Sequence, residues 1–513
     1  MKGKKIKFSL ILIALLLLLT ACGGSSDFKA NTPDDTLVVA NGAEPVTFDI
    51  QATNDQATTR VARQIYQTLI RQNEDLTLSP ELATEWKDVG NNTWEFKLRD
   101  DVTFHNGEKF TAKDVEWTIK RAAQSATISH LVGTVDPDKI KVIDDYTIQI
   151  GTKEAFGPFL THLAHPATAI MNEKAVTEGG EDYGTKYAVG TGPYKFVEWV
   201  SGSSLKLEKF DDYWGDAPKL AKVEFKFIKE ASVRLVELET GAVDIAFDIA
   251  PADVSKVKEN ADLQLVAESN LGAEYIGFNV KNDTPLQNKL VRQALAYAID
   301  VEAIIKSVHQ GVGKQMAGPI NELVFAYNPD LKPYEFDLDK AKSLLAEAGY
   351  ADGGFTLKLY VGDNNQERIK VAQIFKEQAS KIGITVEITQ LDWATFLDAA
   401  AKGEPDVFLL GWTTVTTDAD YGLFPLFHTS MFGSAGNRTF YSNPEVDRLL
   451  ELGRYTSDQE KRKEYYYEAQ EIIHDDAPWV FMQTRENVTG LTKFVQGFVD
   501  HPTGSYFLEG ISK

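Results

Sequence analysis

From Phe355 to Leu410 the chain alternates short β-branched runs with amphipathic stretches in the order strand, helix, strand, helix, strand. Two consecutive strands joined by a helix-length crossover lie parallel, so this stretch predicts βαβ units in a parallel or mixed sheet. The rest follows the same grammar. Helices are expected near 231–239, 288–298, 338–348, 365–381 and 456–475, and strands near 223–228, 243–247, 274–279, 355–361, 384–389 and 406–411. Earlier in the chain, Leu37–Ala40 reads as a buried strand closed by Asn41-Gly42, and Thr58 to Ile70 places Val61, Ile65, Leu69 and Ile70 at helical spacing. Trp94, Phe96 and Leu98 alternate along a half-buried strand, His105–Glu108 makes a turn, and Thr111 with Asp114 forms a capping box for a following helix. The fold class is therefore α/β, with length enough for two to four domains and no internal repeat.

The N-terminus sets the compartment. Lys2, Lys4, Lys5 and Lys7 precede an apolar run from Ile11 to Leu19 that is too short for a permanent membrane span. It ends in Leu19-Thr20-Ala21-Cys22, the pattern of a bacterial lipobox, and Cys22 is the chain's one cysteine. Residues 1–21 are expected to be a lipoprotein signal peptide and Cys22 the lipidated first residue. Two acyl chains there give stable anchoring, at roughly 0.8 kcal/mol per buried methylene. The small polar stretch over 22–35 reads as a flexible tether. The expected location is extracytoplasmic, lipid-anchored on the outer face of a Gram-positive cell membrane. The formal charge of -22, deepened by loss of the signal lysines, argues against a nucleic-acid partner, which requires clustered Lys and Arg.

Enzyme signatures are missing. The sequence contains no G-x-S-x-G elbow, H-E-x-x-H, phosphate loop or cysteine nucleophile, so no catalytic residue, cofactor or metal ligand is assigned. His162 and His165 form an isolated H-x-x-H followed by Pro166, and Asp418 with Asp420 lacks the remaining spacing of an EF-hand. The strand Asp406–Leu410 instead delivers Gly411-Trp412 and the run Thr413, Thr414, Val415, Thr416, Thr417, Asp418, Ala419, Asp420, Tyr421 to its C-terminal end, where open α/β sheets place ligands. An aromatic plane with hydroxyls and carboxylates suits a zwitterionic small molecule.

The segments Leu82–Trp86, Trp94–Arg99, Val102–Gly107 and Phe110–Val115 closely resemble the signature of family 5 bacterial extracellular solute-binding proteins. The resemblance continues in order through Gly190–Tyr194, Tyr275–Asn279, Val291–Leu295, Ala298–Asp300, Gly411-Trp412, Tyr441–Pro444 and Asp476–Pro478. It implies a two-lobed periplasmic-binding-protein-like fold of type II, with three domains: lobe I from 34–57, 190–279 and 485–513, an extra domain over 58–189 inserted in it, and lobe II over 280–484. It also implies a monomer that takes a short peptide or peptide-like molecule, di-, tri- or oligopeptide or glutathione-like, and hands it to the permease and ATPase subunits of an ABC importer. In peptide-binding relatives the ligand lies between the loop matching Glu44, Pro45 and Val46 and the segment after Trp412. Many relatives carry an aspartate for the peptide amine where this chain has Val415, so Asp418 or Asp420 is the expected substitute. Arg438, beside Asn437, is the candidate for a ligand carboxylate, for which a planar guanidinium is suited. A nickel or metallophore ligand is the alternative within the class, and a secreted lipoprotein hydrolase or an adhesin lies outside it.

Overall fold

In the computed structural model, which describes residues 30–53, 56–125, 127–132, 134–363 and 365–513, the expected βαβ stretch forms as strand Thr356–Gly362, helix Gln366–Ser380, strand Thr385–Leu391, helix Trp393–Lys402 and strand Val407–Thr413. The signal segment 1–21 and Cys22 lie outside the described residues, as does most of the 22–35 tether. Helix ends follow local chemistry. Asn365 caps the first crossover helix by accepting from Arg368 N, Asp392 caps the second by accepting from Thr395 N, and Gly403 ends it in the left-handed region that favours glycine. Asp114 accepts from the Thr111 N–H at 2.9 Å, as the capping box predicts.

Eleven strands form one sheet that runs through both lobes. Its order is Thr385–Leu391, Thr356–Gly362, Val407–Thr413, Leu263–Phe278, Trp479–Thr492, Ile245–Ala246, Thr36–Asn41, Lys222–Phe227, Ser204–Lys209 and Tyr194–Val200, with Lys314–Gln315 paired to Trp479–Thr492. Thr356–Gly362 pairs parallel with both its neighbours, and so does Thr36–Asn41. The lobes are joined by the two long strands, Leu263–Phe278 and Trp479–Thr492, which pair antiparallel. Their register breaks between Ser269 and Ala273, where the ladder passes from one lobe to the other.

Two corrections to the strand expectations follow. The helix expected to reach Ile70 ends at Ile65, because Ile70–Gln72 pairs with Leu78–Pro80 in a small hairpin. Trp479–Thr492 is a strand that the sequence reading does not include, its middle, Gln483-Thr484-Arg485-Glu486-Asn487, being polar throughout; Gln483, Arg485, Glu486 and Asn487 line cavities rather than a core.

Apolar packing divides the molecule in the same way. Leu357, Val371 and Phe375 pack on one face of the lobe II sheet, and Phe408, Phe427, Tyr466 and Trp479 on the other. Lobe I is built on Leu37, Val39, Phe225 and Tyr506, with Val38, Leu235 and Val488 on the opposite face. A separate cluster, including Phe96, Phe104, Ile119 and Phe159, forms the extra domain over a four-stranded sheet. Among the described residues no helix is long and apolar enough to cross a membrane.

Lys513 closes lobe I. Lys513 Nζ donates to Thr32 Oγ1, Pro33 O, Thr36 O and Asp244 Oδ2, and Asp244 also accepts from Val38 N and Thr32 Oγ1. Asp244 is fully buried, so removing the lysine charge strands a buried carboxylate. Lys513→Ala is expected to destabilise lobe I by about 3 kcal/mol, read as a lowered urea midpoint, whereas Lys513→Arg retains most of the stability.

Candidate functional site

The C-terminal ends of the parallel strands in each lobe face one another across the two long strands. Between them lies a cavity of about 430 Å³, walled by Asp248–Pro251 from lobe I, by His309, Asn365 and Arg368 from lobe II, and floored by Glu274, Arg485 and Glu486. A smaller space of about 140 Å³ adjoins it through Asp248, Arg485 and Glu486, and is lined further by Arg60, Asn270, Thr413 and Thr503. Both volumes together suit a ligand of small-peptide size.

The charges are arranged around one carboxylate. Arg368, on the first turn of its capped helix, donates from Nε and Nη2 to Glu274 at 2.8 and 2.9 Å. Arg485 approaches the same carboxylate, Nε to Oε1, at 3.4 Å, and donates from Nη2 to Thr413 Oγ1 at 2.7 Å. Two guanidinium groups therefore share the Glu274 carboxylate, so that this cluster presents arginine N–H donors to the cavity, while Glu486 beside them keeps the floor as a whole near neutral. At the lobe I wall Arg60 pairs with both oxygens of Asp248, at 3.0 and 3.1 Å. Asp248 has φ +55°, in the left-handed region that aspartate enters more readily than most side chains, and Arg234 holds that turn by donating to Phe247 O and Asp248 O. Glu486 accepts from Gly313 N. Burial lowers the pKa of His309, favouring the neutral ring.

Behind the smaller space, Asp500 is buried, its Oδ1 accepting from Asn487 Nδ2 while Oδ2 has no hydrogen-bond partner. Burial pushes this carboxyl up to about 7, against the pull of Arg60. The folded state thus holds a proton that the unfolded chain releases near pH 4, so this group's contribution to stability falls as pH rises from about 4 to about 7 and is constant above. Asp500→Asn is expected to flatten that slope and to raise stability at pH 8 by on the order of 2 kcal/mol, measured by urea unfolding from pH 5 to 8.

The residues singled out in the sequence fall in different places. Thr413 lines the smaller space. Trp412 turns to the opposite face of the sheet, its Nε1 donating to Tyr421 O and its ring 5.3 Å from that of Tyr421. Thr414 and Thr416 are buried, and Val415 N donates to Thr413 O. Asp418 and Asp420 are buried in ion pairs, Asp418 with Arg462 at 2.7 Å and Asp420 with Arg454 at 3.0 Å; burial raises the Asp420 carboxyl against the pull of Arg454. Glu44 accepts from Gly202 N and Trp199 Nε1, Pro45 is buried, and Val46 is exposed with its N–H on Thr58 Oγ1. Asn437 braces its own turn through His428 O, Tyr441 O and Thr439, and Arg438 is half-buried with Nε lacking a partner. His162 and His165 bind backbone groups, and among the described residues no three His, Cys, Asp or Glu side chains converge on one point.

Sequence reasoning missed Glu274, Arg368, Arg485 and Asp248. One signal was present: Glu274 and the Arg485-Glu486 pair place charge inside segments flanked by apolar residues, where a strand buried on both faces would not carry it.

Comparison with known proteins agrees with this architecture. The family profile described as "Bacterial extracellular solute-binding proteins, family 5 Middle" matches residues 77–434. The chain is 34% identical over 483 residues to the glutathione-binding protein GsiB of Pectobacterium atrosepticum, covering 92% of this chain and 93% of that one. Among solved structures, the periplasmic binding protein DppA of Helicobacter pylori in complex with peptide STSA aligns with a TM-score of 0.78 at 28% identity, over 93% of this chain and 98% of that one. A dipeptide binding protein from Pseudoalteromonas sp. SM9913 in complex with Met-Leu aligns with a TM-score of 0.80 at 28% identity, over 93% and 100%.

Proposed function

Since the chain belongs to the family 5 bacterial extracellular solute-binding proteins, whose members are transport binding proteins, we propose that it captures a short peptide or glutathione-like molecule between its lobes and delivers it to an ABC importer. The observation that carries this reading is the shared Arg368–Glu274–Arg485 cluster on the floor of the interlobe cavity. A ligand carboxylate docks on the free donors of Arg485, while Glu486 faces its amine. Glu486 takes the amine role in place of Asp418 and Asp420, whose charges, like that of Asp248, are held by arginines. One chain supplies both walls, so it works as a monomer.

Anchoring through Cys22 at the outer face of the cytoplasmic membrane is part of the same proposal, supported by the Leu19–Cys22 sequence. Cys22→Ser is expected to release the protein from the membrane fraction, in a cell fractionation that compares it with the wild type.

Native mass spectrometry before and after unfolding tests the ligand. A peptide or glutathione mass is expected to leave on denaturation, and its return is expected to raise the melting temperature by several degrees, since about 2.7 kcal/mol accrues at 100 times Kd. Release of a nickel chelate, with no response to glutathione or short peptides, would replace the peptide reading with the metallophore one.

A further inference from the structure

The loop after Trp412 carries the chain's densest run of hydroxyls and acids, yet most of it lies off the cavity. Part of it meets the extra domain. Gln72 Nε2 donates to Thr417 Oγ1 at 3.0 Å, with both residues buried, and Gly157 N donates to Arg454 O at 2.9 Å. The Arg454 guanidinium also lies 5.7 Å from the ring centre of Phe156, a core residue of the extra domain.

Both lobe II contact points are held by one side chain. Arg462 donates to both oxygens of Asp418, the neighbour of Thr417, and from Nε to Gly453 O, the neighbour of Arg454. Burial opposes the charge on Arg462, but Asp418 more than offsets it and keeps the guanidinium protonated. Thr417 is β-branched and sits at φ +59°, a strained conformation for such a residue, held by Phe325 N on its carbonyl and by its own N–H on Thr414 O. Strain of this sort persists where the surroundings over-determine it and points to a role for the position.

Gly157 is the most specific part of the contact. A Cβ there would meet Arg462 Nε well inside contact distance and Thr456 O at 2.6 Å, and its nearest neighbours all belong to lobe II rather than to its own domain. A side chain at 157 therefore collides first with lobe II and opposes docking of the extra domain.

We propose that the extra domain is a closure latch, which docks through Gln72 and Gly157 on a lobe II plate braced by the Asp418–Arg462 pair. Arg462 is then a positioning residue for closure, and the latch rests on the reading of the interlobe cavity as a ligand site. Closed lobes held at a point away from the ligand lose it more slowly, because dissociation must first break the latch.

The test uses the full mature chain, wild type against Gly157→Val and Gln72→Ala, with glutathione and the dipeptide Met-Leu as probes. Stopped-flow kinetics and small-angle scattering are the readouts. Gly157→Val is expected to release a bound probe about tenfold faster with association within about twofold of wild type, and to compact less on binding. Gln72→Ala follows in the same direction with a smaller change. Release within twofold of wild type by Gly157→Val, with equal compaction, overturns the latch. If neither probe binds the wild type, the ligand assignment fails separately, and amide exchange of the ligand-free protein decides the latch. Exchange at Gly157 that is slower in wild type than in Gln72→Ala supports it, and equal exchange in the two overturns it.

Discussion

Arg485→Ala is expected to weaken binding of glutathione or a short peptide by about 100-fold while leaving the melting temperature of the ligand-free protein within a few degrees of wild type, since truncating one partner of a desolvated charge pair costs at least about 2 kcal/mol. The argument is geometric. Arg368 has two of its donor nitrogens fixed on Glu274, whereas Arg485 bonds Thr413 through Nη2 and touches Glu274 at 3.4 Å, leaving its side chain partly open to the cavity. Arg485 is thus the guanidinium best placed to take a ligand carboxylate. Lysine at 485 keeps the charge but not the fork, so Arg485→Lys is expected to recover only part of the affinity. Titration calorimetry with each probe decides it: equal dissociation constants for wild type and Arg485→Ala place the ligand carboxylate elsewhere in the cleft.

Asp418→Ala is expected to lower the stability of lobe II by about 3–5 kcal/mol, because it leaves a buried guanidinium without its counter-charge. Arg462 is 1% exposed and Asp418 2%, and the two are joined by hydrogen bonds of 2.7 and 2.9 Å. The backbone carbonyl of Gly453 and the Gln459 side chain remain as acceptors but carry no net charge. Replacing both partners with apolar residues, Asp418→Leu with Arg462→Met, is expected to recover much of the loss, as buried pairs offset little more than their own desolvation. Scanning calorimetry reads the loss as a lowered melting temperature; a single variant within about 1 kcal/mol of wild type contradicts the burial argument. The double variant also keeps stability and latch geometry apart, because it restores the first without restoring the bonds to Gly453 O.

The architecture of lobe II was readable from the chain because its central strands and helices carry unmixed periodicity. Leu357, Leu359 and Val361 alternate along a strand, and Val371, Ala372, Phe375 and Ala379 repeat at helical spacing on the next element. The family was readable because its signature segments occur in order from Leu82 to Pro478, and membership now rests on a profile match over residues 77–434. The site was read less well. Trp412 and the hydroxyl-rich loop were placed correctly at the end of a strand, but whether they face a ligand depends on which side of the sheet each residue takes. Thr413 and Arg485 meet on one side, and Trp412 packs with Tyr421 on the other.

What the sequence by itself determined is whatever local periodicity and motif order encode: an α/β chain, its βαβ core, the capping box at Thr111 and its family. What only the tertiary structure decided is which charges meet. Glu274, Arg368 and Arg485 are separated by as many as 211 residues, and no spacing rule links them. They converge because two long strands pair antiparallel, with Glu274 opposite Gln483, and because a capped helix from lobe II sets Arg368 against them. The same holds for Asp418, whose carboxylate reads as ligand-facing in one dimension. Folding buries it against an arginine 44 positions further along the chain, because a charge withdrawn from water is stable only where an opposite charge is withdrawn with it.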